Sequence, residues 1–207
     1  MDIGSILLIL HACFSALSLT TSFLLIFIVF NHTPTTFANF GIMIKFHALV
    51  DGCVALSSAA GLQRPVVIDW SIVLVAYGPC RHISPSACYG FVTIFLGGEA
   101  CTIHTNLASF VFRYMVVLGK QPTVRETIGL ICCFSCPLTI IVMVSMQLAR
   151  DDSGLMRELM HTRRPEPHED SYAVGGSLDM RSLWAFIYLS ILVVFVFPLF
   201  TAILLFR

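Results

Sequence analysis

Five polar side chains follow one another at helical spacing inside a long apolar stretch of the chain. The stretch runs from Cys88 to Leu118, contains no proline and is otherwise largely apolar. Intervals of 3, 4, 3 and 4 residues separate the five, so a helix carries all of them on one face. These residues, called here the polar seam, are Glu99, Thr102, Asn106, Ser109 and Arg113.

A carboxylate, an amide and a guanidinium on one apolar helix need partners that lipid does not supply. We therefore expect the polar seam to face protein or water, with Glu99 at mid-membrane depth and Arg113 near one surface. Asp51 is a second acid inside an apolar run, and we expect it to face the interior of the same bundle.

Composition places the chain among polytopic membrane proteins. Of its 207 residues, 57% are hydrophobic and only 12% are charged, and the mean hydropathy is +0.87. A soluble domain carries about twice that charged fraction. The net charge is zero, so nothing indicates nucleic-acid binding. No motif for a cofactor or a metal appears, nor a nucleophile with its base, so we expect no cofactor and no enzymatic activity.

The hydrophobic pattern predicts an all-α bundle of about five membrane spans in one membrane domain, residues 1–207. An outer connection covers 63–85, in which Ile72 to Ala76 is too short to span and is predicted as an extended segment over the bundle mouth. A long polar outer loop, predicted to be mobile, covers 150–181. The predicted spans are 3–30, 37–62, 86–118, 127–149 and 183–206.

The cysteines follow the same division between membrane and polar segments. Six of the eight lie in apolar runs, where we interpret them as small packing residues, and only Cys80 and Cys88 lie where an oxidising compartment could pair them. The cluster Cys132, Cys133 and Cys136 lacks a second pair, so no metal site is expected there.

Short motifs around the third predicted helix resemble those of a known receptor family. They are Tyr77-Gly78-Pro79-Cys80 before the helix, Cys88-Tyr89 at its start and Phe112-Arg113-Tyr114 near its end, with Thr33-Pro34 between the first two helices. Their order and spacing resemble the nematode serpentine chemoreceptors of class delta, and more broadly the rhodopsin-like seven-helix receptors.

The resemblance implies a G-protein-coupled chemoreceptor for odorants or other small molecules in the plasma or ciliary membrane of sensory neurons. It implies an outer N-terminus, a ligand cavity open to the outside and a heterotrimeric G protein as partner. Phe112, Arg113 and Tyr114 would then form the coupling switch, whereas the simpler interpretation of Arg113 is an anchor for the helix end.

Two features depart from that family. Seven spans are usual and about five are predicted here, so we expect a fragment, a truncated gene product or an abbreviated gene model. We expect that such a chain does not signal alone, because the sixth helix, which moves most in this fold, is not among the predicted spans. Residues 150–181 contain no cysteine to reach the third helix. Any disulfide would join Cys80 to Cys88, or there is none.

Two other functions stay open at this point. The intramembrane ionisable residues, among them Asp51 and Glu99, are also typical of a transporter or channel subunit, although no inverted repeat is visible. The chain could equally be a truncated, non-signalling partner that associates with full-length receptors in the bilayer.

Asn31 provides a test of the orientation that the resemblance implies. Asn31-His32-Thr33 matches the glycosylation sequon, but with the N-terminus outside this turn is cytoplasmic. We therefore predict that Asn31 remains unmodified in cells. The measurement is gel mobility before and after glycosidase treatment, and a shift that is lost in Asn31→Gln would reverse the orientation.

Overall fold

Four long apolar helices form the body of the molecule. The computed structural model describes residues 3–32, 38–163, 173–179, 181–183 and 185–187. Within them, four helices are long and apolar enough to cross a membrane, which confirms the predicted helical membrane architecture. The fifth predicted span, 183–206, lies outside the described residues apart from its first few positions. The four helices are α1 Ile3–His32, α2 Ala38–Gly61, α3 Pro85–Val117 and α4 Val124–Leu148.

Local sequence explains where α3 and α4 begin. Pro85 occupies the first turn of α3, and the hydroxyl of Ser84 accepts a hydrogen bond from the backbone N–H of Ala87 at 3.0 Å. Thr123 and Glu126 form a reciprocal capping box at the start of α4. Each cap satisfies backbone donors that the first helical turn leaves without partners.

The third helix lies at the centre of the described bundle, packed against α2 and α4, while α1 packs on α2. Gly97 allows α3 and α4 to approach each other closely, because a Cβ at this position would lie only 2.6 Å from Met143 Cγ in α4. Small residues are the usual means by which membrane helices approach closely. Near the other end of α3, Phe112 and Ala108 pack against Met43 of α2 and Ile131 of α4.

A small β-sheet covers one end of this bundle. Strand β1, Gln63–Ile68, pairs antiparallel with β2, Ser71–Ala76, and β3, Ala173–Ser177, pairs antiparallel with the other edge of β2. Asp69 adopts a φ of +53° in the turn of the hairpin. The sheet and helix α5, Ser153–Arg163, are called here the cap.

Helix α5 and β3 lie in the segment for which the sequence predicts a mobile loop, and this part of the prediction is corrected. Met156 and Met160 of α5 are fully buried against Val66, Val73 and Val75 of the hairpin. The Asp151 carboxylate also accepts a hydrogen bond from the backbone N–H of Leu178 at 2.7 Å. One apolar stripe on the otherwise polar helix α5 therefore packs this helix on the sheet.

The buried methionines make the cap testable. We expect Met156→Ala to lower the free energy of unfolding by about 2–5 kcal/mol, because it leaves a cavity in the core between α5 and the sheet. Leu155 is the matched control, since it is 49% exposed on the same helix and Leu155→Ala should change stability by at most about 0.5 kcal/mol. Denaturant titration in detergent measures both, and equal effects would contradict the packing of α5.

Candidate functional site

A cavity of about 280 Å³ lies between the cap and the ends of the helices. Its roof comes from the sheet, and its walls come from all four helices. Of the residues that line it, Ile72 and Leu74 belong to β2, Val92, Phe95 and Leu96 belong to α3, and Met146 belongs to α4. The cavity is therefore a mostly apolar chamber at one end of the bundle, the arrangement typical of small-molecule sites.

Tyr89 forms the junction between this chamber and its supports. The side chain is 2% exposed, and its hydroxyl donates a 2.7 Å hydrogen bond to the backbone carbonyl of Met146. The guanidinium of Arg150 lies 4.8 Å from the centre of its ring and also donates to Ser86 Oγ at 3.0 Å. These contacts join α3 to α4 and to the segment that leads from α4 into the cap, beside the cavity.

One end of the cavity is polar. His11 Nε2 and Ser58 Oγ are 3.2 Å apart, and Ser15 Oγ lies 3.2 Å from the same Ser58 oxygen. Gln63, the first residue of β1, completes this end of the lining. His11 and Ser15 thus join α1 to α2, as polar side chains do in membrane helices, and His11 also faces the chamber.

Cys80 and Cys88 are joined by a disulfide. It ties the short 3₁₀ turn Pro79–His82 to the first turns of α3, directly before Tyr89. Cys88 is fully buried and Cys80 is 1% exposed, and both pack with Ala76 at the end of β2. Of the two possibilities that the sequence left open, the structure has the local bridge.

The structure divides the polar seam of α3. Thr102 is half-buried and its hydroxyl donates to Asp51 Oδ1 at 3.1 Å, while His47 Nε2 lies 3.5 Å from the other oxygen of Asp51. Ser109 is also half-buried, whereas Glu99, Asn106 and Arg113 are exposed. The buried face of α3 lies next to the seam and carries His104 and Thr105 at this depth.

Glu99 and Asp51 line a common cleft. Ser18 and Ser22 of α1 lie on its other wall. The cleft is a second polar region at mid-helix depth, separate from the cavity beneath the cap. In the part of the chain that the structure describes, no three His, Cys, Asp or Glu residues are grouped closely enough to hold a metal ion.

The three consecutive residues of the predicted switch have different surroundings. Phe112 is 6% exposed and packs against Phe40 of α2, with ring centres 5.6 Å apart. The guanidinium of Arg113 is exposed and lies 5.5 Å from the centre of the same Phe40 ring. Tyr114 is 64% exposed. The helix end therefore has one anchor in the core and two side chains that are open to contact.

Comparison with known proteins shows the family. The family model described as serpentine type 7TM GPCR chemoreceptor Srd matches residues 7–207. The chain belongs to the Srd family of serpentine chemoreceptors. The motifs that suggested this family include Cys88-Tyr89 and Phe112-Arg113-Tyr114, which lie near the two ends of α3.

Similar curated proteins come from Caenorhabditis elegans. Serpentine receptor class delta-2 is 27% identical over 192 residues, covering 89% of this chain and 52% of that receptor. Serpentine receptor class delta-3 is 25% identical over 183 residues, covering 86% of this chain and 52% of its own length. The chain spans about half the length of these relatives. No solved structure matches it.

Family membership and the four apolar helices make this a multi-pass membrane protein of the GPCR-like chemoreceptor type. The named relatives are receptors rather than enzymes. Sequence reasoning identified Cys80 and Cys88 and predicted Ile72 to Ala76 as an extended segment over the bundle mouth. It missed Gln63 and Ser58 as cavity residues, because the pairing of that segment with β1 was not predicted. It quoted Tyr89 only as part of a family motif.

The hydrogen bond from Thr102 to Asp51 is a measurable link between α2 and α3. We predict that Thr102→Val lowers the free energy of unfolding by about 1 kcal/mol, since it leaves one oxygen of Asp51 without this donor. Thr20→Val is the control, because among the described residues the Thr20 hydroxyl bonds only the Ala16 carbonyl of its own helix. Denaturant titration in detergent compares them, and a Thr102→Val variant as stable as the control would contradict the link.

Proposed function

We propose that this chain contributes the ligand-binding and G-protein-contacting parts of a chemosensory receptor that detects odorants or other small molecules in sensory neurons. The observation that carries the proposal is the geometry of α3. Tyr89 and Val92 lie at the cavity, while Phe112, Arg113 and Tyr114 lie at the far end of the same helix. Tyr89 and Arg113 are 24 residues apart, roughly 36 Å along a helix and thus about a membrane thickness.

The disulfide supports an orientation with the cap outside the cell. Disulfides persist in oxidising compartments, and Cys80 and Cys88 lie at the cap end of α3. His11, near the start of α1, lines the same cavity, so the N-terminus would lie outside as well. Arg113 and the loop residue Lys120 would then face the cytoplasm, at the side where a heterotrimeric G protein binds.

A signal would pass as a movement of α3 relative to its neighbours. Ligand contacts at Tyr89, Val92 and Phe95 would favour one packing of α3 against α2 and α4, because a ligand shifts an equilibrium only by its differential affinity for the two states. At the inner end, that change would alter the contact of Arg113 with Phe40 and hence the surface offered to the G protein.

Arg113 is the residue whose substitution tests the coupling. The assay uses cells with a promiscuous G protein and a calcium reporter. A chimera in which the remaining C-terminal segment of a class delta relative follows Arg207 should respond to an odorant panel. Arg113→Ala in the chimera should reduce the response at least about tenfold, since it removes a charged contact.

Arg163→Ala is the matched control, because Arg163 is an exposed arginine at the end of α5 in the cap. The response of the chimera with Arg163→Ala should equal that of the unmodified chimera when the surface levels of the two are equal. A chimera that reaches the surface and responds to no odorant, or one that responds equally after Arg113→Ala, would contradict the proposed coupling.

The exposed part of the polar seam favours a second candidate function, association with full-length receptors. Glu99 and Asn106 are exposed at membrane depth, where polar groups require protein or water as partners. Co-precipitation from cells that express both chains tests this function. Loss of the complex in Glu99→Leu is the expected result, whereas capture unaffected by Glu99→Leu would argue against it. The control is Phe14→Leu, on the exposed surface of α1, which should leave the complex intact.

A further inference from the structure

The described lining of the cavity beneath the cap is unfavourable for charged ligands. No Asp, Glu, Lys or Arg side chain lines it within the described residues, and aliphatic and aromatic groups make up most of its surface. Transfer of an ion from water into such surroundings is strongly unfavourable without a counter-charge. A volume of about 280 Å³ suits one compact molecule rather than a peptide, since it lies at the small end of the range for ligand pockets.

The polar end of the cavity contains an unused hydrogen-bond donor. Gln63 Nε2 is buried and has no hydrogen-bond partner among the described residues. The amide lies against Gly61, at the place that a Cβ of residue 61 would occupy. The side-chain torsions of Gln63 have several staggered minima, and a change of rotamer can bring this donor to the cavity that the residue already lines.

His11 and Ser58 form the wall beside Gln63. Their side chains bond each other through His11 Nε2 and Ser58 Oγ, and Ser58 also contacts Ser15. These groups are largely satisfied, so the buried amide of Gln63 gains most from a new acceptor. An unpaired buried donor is destabilising, and a ligand oxygen that accepts its hydrogen bond removes that cost.

We propose that the cavity binds a neutral, compact, mainly apolar molecule with one carbonyl oxygen, such as a short-chain ketone or ester. The oxygen accepts a hydrogen bond from the Gln63 amide at the polar end. The hydrocarbon chain packs against Val92, Phe95 and Leu96 of α3. This inference rests on the proposed function only in taking the cavity as the ligand site of the receptor.

Equilibrium binding of radiolabelled 2-heptanone to the 207-residue chain in lipid nanodiscs tests this assignment, with empty nanodiscs as the blank for partition into lipid. We expect saturable binding of the ketone. Heptane should compete about tenfold more weakly than unlabelled ketone, and hexanoate should not compete. Gln63→Leu should weaken ketone binding about tenfold and leave competition by heptane unchanged. Gln121→Leu, at an exposed glutamine in the loop beyond α3, should bind like the unmodified chain.

Leu96→Trp fills the cavity and locates the site, because it should abolish saturable binding altogether. Size-exclusion chromatography and detection of the Cys80–Cys88 disulfide verify that each variant is folded. Absence of saturable ketone binding, competition by hexanoate equal to that by ketone, or equal effects of the two glutamine substitutions would overturn the assignment.

The binding assay contains no G protein, so its failure is distinguishable from failure of the proposed function. Ketone binding with no cellular response would contradict the proposed receptor function but not the assignment of the cavity. A cellular response to ketone that is unchanged by Leu96→Trp would contradict the assignment of the cavity but not the proposed receptor function.

Discussion

The buried phenol of Tyr89 is the contact on which the relative positions of α3, α4 and the cap depend. Its hydroxyl reaches a backbone carbonyl of α4, and its ring packs under Arg150, where the chain leaves α4. Strand β3 closes over the same ring, because a Cβ at Gly175 would lie 2.8 Å from Tyr89 Cδ2. Only glycine allows that approach, and its φ of +155° is one that side chains rarely adopt. Tyr89 thus sets how closely β3 approaches α3 beside the cavity.

The cap also explains how a membrane protein accommodates a β-sheet. Open sheet edges are excluded from lipid, since their unpaired backbone groups have no partners there. Strands β1, β2 and β3 lie beyond the ends of α2 and α3, and β2 is paired on both edges. Buried methionines of α5 cover one part of the sheet, and the cavity lies beneath another. The cap therefore covers the apolar cavity at this end of the bundle.

The sequence predicted the parts of this fold whose signals are local. Runs of apolar residues located the helices, because such signals need no knowledge of distant neighbours. The pairing of β2 with β3 was not predictable in this way, since it joins residues far apart in the chain. Met156 and Met160 lay in a segment whose average composition is polar. The seam of α3 was recognised by its spacing, but spacing alone could not say that Thr102 is half-buried while Glu99 and Asn106 are exposed.

The order of strands in the cap has a consequence for biosynthesis. The ribosome produces β1 and β2 before α3 and α4, and β3 only after both of those helices. Until β3 arrives, β2 presents an open edge and an uncovered apolar face at the membrane surface, which is a template for wrong pairing with other chains. The edge of β2 that β3 later pairs with therefore stays open for as long as α3 and α4 are being inserted.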